Sequence, residues 1–460
     1  MTDADPGGPP DPNRPGDCRI VLIAVDGLSA RWVGALGNTS APTPGLDRLA
    51  CEGVVLHGLH AADVTAEGAW PALLTGSAPP ADGGVRAADW LTDAAGAGRM
   101  TVLVDGAGLP AALRERFETV VVVAEDEDPA DEDDATESRS GEGAAVDAAP
   151  AKSVETMALV RTLSVAREVI QEAPPDAAIV VAVAGLRGPW DVPLEERAAH
   201  RGEDDPEPYP GISPPMERLD RQADADAILA YELAATAMVA ALDDAIAALI
   251  EELAEARLLE ETLLLVTAPR GYALGEHGFV GPPDAQVPVR AESYHVPGLL
   301  RLPRREEPSG APSAVWLIGW PGLLATTDLG SVLLRLASEG PPRTTPASED
   351  PARTVEGRLG ETLPSRSLVT VVHPAGRLVR TAAWLYDPGK SGWDIASEGE
   401  NAPAAALFVK PDDRFDVHDV SARARDVAEA FETLLAEGAD EGRPVATDDE
   451  RFAVLWTRPD

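Results

Sequence analysis

Residues 263–281, LLLVTAPRGYALGEHGFVG, have the layout of an active-site strand and loop. An apolar run rises to a turn at Gly271, and a second glycine-rich turn follows at Gly275 to Gly278. Such a strand end suits acids and histidines that hold a metal, yet the residues here are Ala268, Pro269 and Arg270. A hard cation needs several oxygen ligands, and Pro and Arg offer it no side-chain acceptor. Arg270 instead supplies a permanent positive charge on a planar fork. Glu276 and His277, in LGEHG, either do acid–base work or hold their turn by hydrogen bonds. A second apolar run, CRIVLIAVDG, delivers the carboxylate of Asp26 to another strand end, followed by Gly27. Arg187, in LRGPWDVP, either binds an anion or lies on the surface.

These residues need a scaffold of alternating strands and helices. CRIVLIAVDG reads as a buried parallel strand. TPGLDRLACEG reads as a helix opened by Thr43-Pro44 and stopped by Gly53. Further strands are expected at 100–106, 118–125, 177–185, 262–268 and 296–303, and helices at 154–172 and 225–256. In the second helix Leu229, Leu233, Leu242, Ile246 and Leu249 mark the buried stripe. This alternation implies an α/β sandwich around a mostly parallel central sheet, spanning 18–340. Residues 1–17 read as a disordered tail and 125–148 as an acidic insertion, either solvated or a site for a cation or basic partner. A linker at 341–360 leads to a small C-terminal α+β subdomain, 361–440, and an extension, 441–460.

Bulk composition narrows the function. Apolar residues make up 44% of the 460, enough for a sizeable core, and the formal net charge is −40. That charge argues against nucleic acid and against anionic membrane surfaces, because neutralising phosphates needs Lys and Arg. Cys18 and Cys51 cannot build a disulfide framework, the N-terminus lacks the pattern of a signal peptide, and no apolar run is expected to span a bilayer. A reducing, cytoplasmic setting follows as the expectation.

The order of the motifs resembles the sulfatase family of the alkaline-phosphatase superfamily. VLIAVDG is similar to the first strand, which ends in a metal-binding aspartate, and TPGLDRLACEGV to the T-P-x-L-D-x-L-A-x-E-G helix. PALLTGSAPP resembles L-L-T-G-x-x-P, and YELAATAMVAALDDAIAALIEEL the helix with a spaced Tyr and Asp. LGEHGF, ESYHVPGLLRLP, LLATTDLGSVLLRLA and LFVKPDDRFDVHDVSARARDV follow in the family's order, so the likeness runs over about residues 18 to 437.

The resemblance implies sulfuric-ester hydrolysis with a divalent cation such as calcium, and it also implies which residues should perform it. The nucleophile of C/S-x-P-x-R falls on Ala66, with Gly68 for Pro and Trp70 for Arg. A methyl group can neither attack sulfur nor be oxidised to an aldehyde hydrate. Thr65 is adjacent, but a neighbouring side chain points elsewhere. The S-D-H/N-G ligands fall on Ala268, Pro269, Arg270 and Gly271, a second ligand acid on Gly27, and the H-x-P on Arg187-Gly188-Pro189. The lysine after LGEHG is absent. Asp26 is left as a remnant ligand, or as a structural acid paired with Arg270 in place of the metal. The expected pocket is therefore vestigial: Asp26, Thr65, Arg187, Arg270, Glu276 and His277 around Ala66, with no catalytic residue and no cofactor. The expected function is an inactive, sulfatase-like binding or regulatory scaffold for an anionic small ligand or a protein partner. Two alternatives stay open: an active sulfuric- or phosphoric-ester hydrolase with a rearranged metal site, and a paralogue retained in complex with an active enzyme, which needs an exposed apolar patch.

Overall fold

The computed structural model describes residues 18–76, 89–123, 150–219, 225–283, 289–303, 317–339, 359–389, 405–437 and 447–458. The expected tail, the acidic insertion 125–148 and nearly all of the linker 341–360 lie outside the described residues.

Strands β1 (Arg19–Val25), β2 (Val54–His60), β3 (Thr101–Asp105), β4 (Thr119–Val122) and β5 (Ala178–Val183) follow one another between helices and loops. A two-residue β6 (Glu217–Arg218) precedes β7 (Thr262–Thr267), and the hairpin of β8 (Ala273–Leu274) and β9 (Phe279–Gly281) follows it. Then come β10 (Gly298–Arg301) and β11 (Ile318–Ala325). β12 (Leu368–His373), β13 (Gly376–Thr381), β14 (Trp384–Asp387) and β15 (Ala406–Val409) form an antiparallel sheet of their own.

The large sheet has the order β11-β2-β10-β7-β1-β5-β3-β4. Only β10 runs antiparallel to its neighbours among these described strands. β1, β5 and β7 are buried at every position, as a parallel sheet covered on both faces requires. From β1 the chain crosses to β2 on one side and then to β3 on the other. This change of direction opens a crevice beyond the carboxyl ends of the strands, the usual ligand position in open α/β sheets.

Helix Pro44–Cys51 opens with its first amides on Asp243, whose carboxylate accepts from Gly45 N and Leu46 N at 2.8 Å each. Asp243 belongs to the long helix Ala225–Glu255, where Leu233, Leu242, Ile246 and Leu249 are buried and Leu229 only partly so. By length and composition this helix could cross a membrane, contrary to expectation. Alanines and leucines between Asp226 and Asp243 raise its hydropathy, but its most apolar window is 72% buried inside the protein, as in a core helix.

Two strands of the large sheet were not legible in the sequence. β2, VVLHGLH, follows a helix with only Glu52 and Gly53 between them and carries two histidines. β11, IGWPGLLA, contains Pro321 and two glycines, poor strand formers, and is tolerated because it lies at the sheet edge with a bulge between Trp320 and Leu323.

The second sheet is backed by helix Arg425–Ala436, with Phe431 stacked on Tyr386 at 5.1 Å. The sheet joins the first body through the backbone: Val64 N donates to Val372 O and Val372 N to Ala62 O, both at 2.9 Å. Arg290, fully buried, donates to Asp387 Oδ2 at 3.1 Å and lies over the Phe408 ring.

His60 closes β2 at this join, 4% exposed, against the rings of Tyr294 and His295. Neither of its ring nitrogens has a hydrogen-bond partner among the described residues. Burial, with His295, Arg380 and Lys410 nearby, holds its pKa well below the usual value, and burial takes His295 down to about 3. Their contribution is complete above the unfolded value of about 6.5 and is lost as pH falls, since the unfolded chain then binds protons the folded one refuses. Burial raises the Glu292 carboxyl, whose contribution has the opposite sign and fades as pH rises. For His60 the expected outcome is a lower stability near pH 5 than at neutral pH. Urea midpoints at neutral pH and near pH 5 check this, and His60→Leu should flatten the difference; an unchanged difference refutes it.

Candidate functional site

Asp26 follows β1 directly, its amide still bonded to Val183 O at 2.9 Å. Gly27 then turns the chain at φ 89°, and a Cβ there would lie 2.9 Å from the Cβ of Leu186. A side chain at position 27 would thus be strained on both conformational and steric grounds. Gly27 N donates to Arg270 O at 3.0 Å, so the ends of β1 and β7 are tied together and their next side chains face each other.

The facing side chains form a forked ion pair. Arg270 Nε donates to Asp26 Oδ1 and Nη2 to Oδ2, each at 3.0 Å. The Arg270 and Asp26 side chains are 5% and 8% exposed. The third guanidinium nitrogen, Nη1, donates to the carbonyls of Val64 (3.3 Å) and Thr65, which fixes the turn that carries Ala66. Trp70 Nε1 adds a third donor to Asp26, 3.1 Å from Oδ2, and Arg187 Nε stands 3.8 Å from Oδ1. Trp70 was not foreseen as a partner; its signal was its place where the resemblance expects an arginine.

Asp26, Ala66, Trp70, Arg187 and Arg270 meet in one cleft of about 520 Å³, together with Arg161. Leu109, Pro110, Val122 and Val123 line it as well. Asp105, at the end of β3, also lines it and is fully engaged: it accepts from Leu109 N at 3.0 Å and Ala107 N at 3.1 Å, and from Arg114 Nε at 2.6 Å. The sequence reading missed Asp105, although it closes its strand in Asp-Gly just as Asp26 does. Arg187 is 17% exposed rather than on the open surface, and its Nη1 is buried with no hydrogen-bond partner among the described residues. Burial, then the neighbouring Arg270, pulls its pKa down, so its charge is under-compensated where it stands.

Three expected pocket residues are placed differently. Thr65 turns its hydroxyl to Asp63 Oδ1 at 2.6 Å and accepts from Gly68 N at 3.0 Å, pinning the turn before helix Ala69–Thr75. Only its carbonyl belongs to the site, held by Arg270. Glu276 pairs with Arg31 and accepts from Leu274 N at 2.8 Å. His277 Nε2 bonds Phe415 O at 2.9 Å and lies 3.8 Å from Glu292. Neither Glu276 nor His277 lines the cleft. Among the described residues no three His, Cys, Asp or Glu side chains are grouped as a metal site.

Residues 19–316 match the family model described as Sulfatase. Among solved structures, the phosphonate monoester hydrolase of Agrobacterium radiobacter is similar at 17% identity and a TM-score of 0.62, over 92% of this chain and 95% of that one. The phosphonate monoester hydrolase from Silicibacter pomeroyi is similar at 14% identity and a TM-score of 0.59, over 94% and 97%. A 2-O GAG sulfatase is similar at 15% identity and a TM-score of 0.57, over 92% and 91%. No curated protein matches the sequence. At these identities the structures speak for the fold, an alkaline-phosphatase-type sandwich, while the family model covers well over half the chain: the protein belongs to the sulfatase family.

Proposed function

We propose that this chain is a sulfatase-family protein without ester-hydrolase activity, which binds an anionic small ligand in the cleft at the strand ends and acts as a binding or regulatory scaffold. The observation that carries the reading is Arg270 seated bidentately on Asp26 beside Ala66. A divalent cation does not fit there. Both Asp26 oxygens are taken up by donors, and Ala268 and Pro269 bring no ligand. A cation would also sit against a permanent guanidinium charge. No step of ester cleavage can be derived from these residues: the nucleophile position is a methyl group, and the stabilisation of a developing anion by a metal has no donors. Binding is a different matter. Arg187, whose Nη1 has no hydrogen-bond partner among the described residues, lines a cleft of the size that small-molecule sites have.

The purified protein is expected to release no nitrophenol from aryl sulfates or aryl phosphates with added Ca²⁺, Mg²⁺, Mn²⁺ or Zn²⁺. Removing a nucleophile alone costs on the order of 10⁶ in turnover where it has been dissected. Robust metal-dependent turnover that disappears on Thr65→Ala would instead identify a rebuilt hydrolase.

A further inference from the structure

We infer that the C-terminal sheet carries a second binding site, separate from the cleft, for a small uncharged amide whose carbonyl is held by His373 and whose N–H is held by Glu432. The site is a cavity of about 410 Å³, within the range of small-molecule sites. It shares no lining residue with the cleft at the strand ends. The hairpin of β12 and β13 contributes His373, Gly376 and Arg377, the end of β14 contributes Asp387, and helix Arg425–Ala436 contributes Glu432 and Leu435.

The observation that carries the inference is an unmet donor. His373 is 4% exposed, and Ala375 N donates to its Nδ1 at 3.3 Å. Burial lowers its pKa more than the nearby Asp387 raises it, so the ring is neutral at neutral pH. A neutral ring whose Nδ1 accepts a hydrogen bond carries its proton on Nε2. That N–H is buried and has no hydrogen-bond partner among the described residues. Gly376 leaves the space beside it open, since a Cβ there would lie 3.9 Å from Nε2. A buried donor left unmet is costly, and an oxygen of a ligand in the cavity would satisfy it. A metal ion would not, because the nitrogen it needs holds the proton.

Charge then selects the class. Asp387 accepts from the buried Arg290 Nη1 and from Gly389 N, each at 3.1 Å, so its charge is already met. Glu432 and Arg377 remain on the lining, one charge of each sign, and an added ion would upset that balance. An ammonium or guanidinium also has no acceptor to offer His373. Glu432 is exposed and accepts from Tyr386 OH through Oε1 at 3.3 Å, which leaves Oε2 for an N–H of the ligand. An amide is the uncharged group that presents an acceptor and a donor side by side. Leu435 gives its hydrocarbon part an apolar surface.

The test is a titration of the full chain at neutral pH, followed by nitrogen NMR of the histidine rings. The probes are benzamide, benzoate, benzamidine and acetophenone, alike in size and different in charge and donors. Benzamide is expected to bind at least about ten-fold more tightly than the others and to shift the Nε2 signal of His373, assigned by its absence in His373→Phe. His373→Phe should abolish benzamide binding. Glu432→Ala, at an exposed position that does not endanger folding, should remove benzamide's advantage over acetophenone. Arg187→Gln should leave benzamide binding unchanged, and benzoate is measured in that variant as well, so that an anion held in the cleft is not counted. Benzoate or benzamidine shifting His373 at equal concentration overturns the uncharged class. Benzamide binding that keeps its full strength in Glu432→Ala overturns the donor and acceptor pair. If no probe moves the His373 signal, the cavity holds water only and the inference falls.

Discussion

Arg270→Ala is expected to destabilise the protein by about 3–5 kcal/mol, the largest effect of any single substitution in the cleft. The reason is the carboxylate left behind. Asp26 sits at the end of a fully buried strand, 8% exposed, and takes two of its hydrogen bonds from Arg270. Without that guanidinium it keeps the indole N–H of Trp70 and the more distant Arg187, which cannot match a forked pair. The same substitution unties the turn at Val64 and Thr65, whose carbonyls lose their donor. Asp26→Asn should be milder, since it removes the charge but keeps an acceptor. In the Arg270→Ala background Asp26→Asn should become favourable, because an amide is cheaper than a carboxylate to bury alone. Urea unfolding of the four proteins gives the coupling directly. A coupling near zero would mean that the pair does not hold the two strand ends together. Arg270→Lys should recover only part of the loss, since an ammonium presents one point of charge to two oxygens.

Much of this was legible in the sequence, and the reason is geometric. A parallel strand buried on both faces must be a continuous apolar run, and a strand's last residue must face the crevice. VLIAVDG and LLLVTAPRG therefore announced both the strands and the meeting of Asp26 with Arg270. The collinear motifs did the same for the fold as a whole. The misses share a different cause. β11 is held by its neighbour and by a bulge rather than by propensity, so its Pro321 concealed it. Thr65, Glu276 and His277 were grouped with the pocket because they lie close to it along the chain. Their directions depend on partners far away in sequence, Glu276 on Arg31 and His277 on Phe415, or on a local turn, as Thr65 on Asp63. Asp105 and Arg161 came from the other side of β5 and carried no motif that tied them to the site.

Arg197→Met should cost a comparable amount, about 3–5 kcal/mol, and it should act on the cleft without touching it. Arg197 is 1% exposed, yet its partners are backbone carbonyls rather than a carboxylate. Its Nε donates to Val192 O and its Nη1 to Gly211 O, each at 3.0 Å, and the guanidinium also donates to Tyr209 O and Trp190 O. One side chain thus gathers both ends of the excursion 190–211, which has little regular structure beyond helix Leu194–Ala199. Methionine fills similar volume but supplies no donor, so the four carbonyls would lose the donors that Arg197 gives them. Lysine would restore the charge but not the planar fork that reaches several acceptors at once. The excursion begins at Gly188 and Pro189, which form part of the cleft wall, directly after Arg187. Loosening it should therefore weaken anion binding as well as stability, whereas Arg187→Gln should weaken binding with little change in the urea midpoint. Limited proteolysis would locate the damage, with new cuts expected between Pro189 and Gly211 in Arg197→Met only. If Arg197→Met unfolds at the same urea concentration as the parent and resists proteolysis there, the four-carbonyl staple is not what holds the wall.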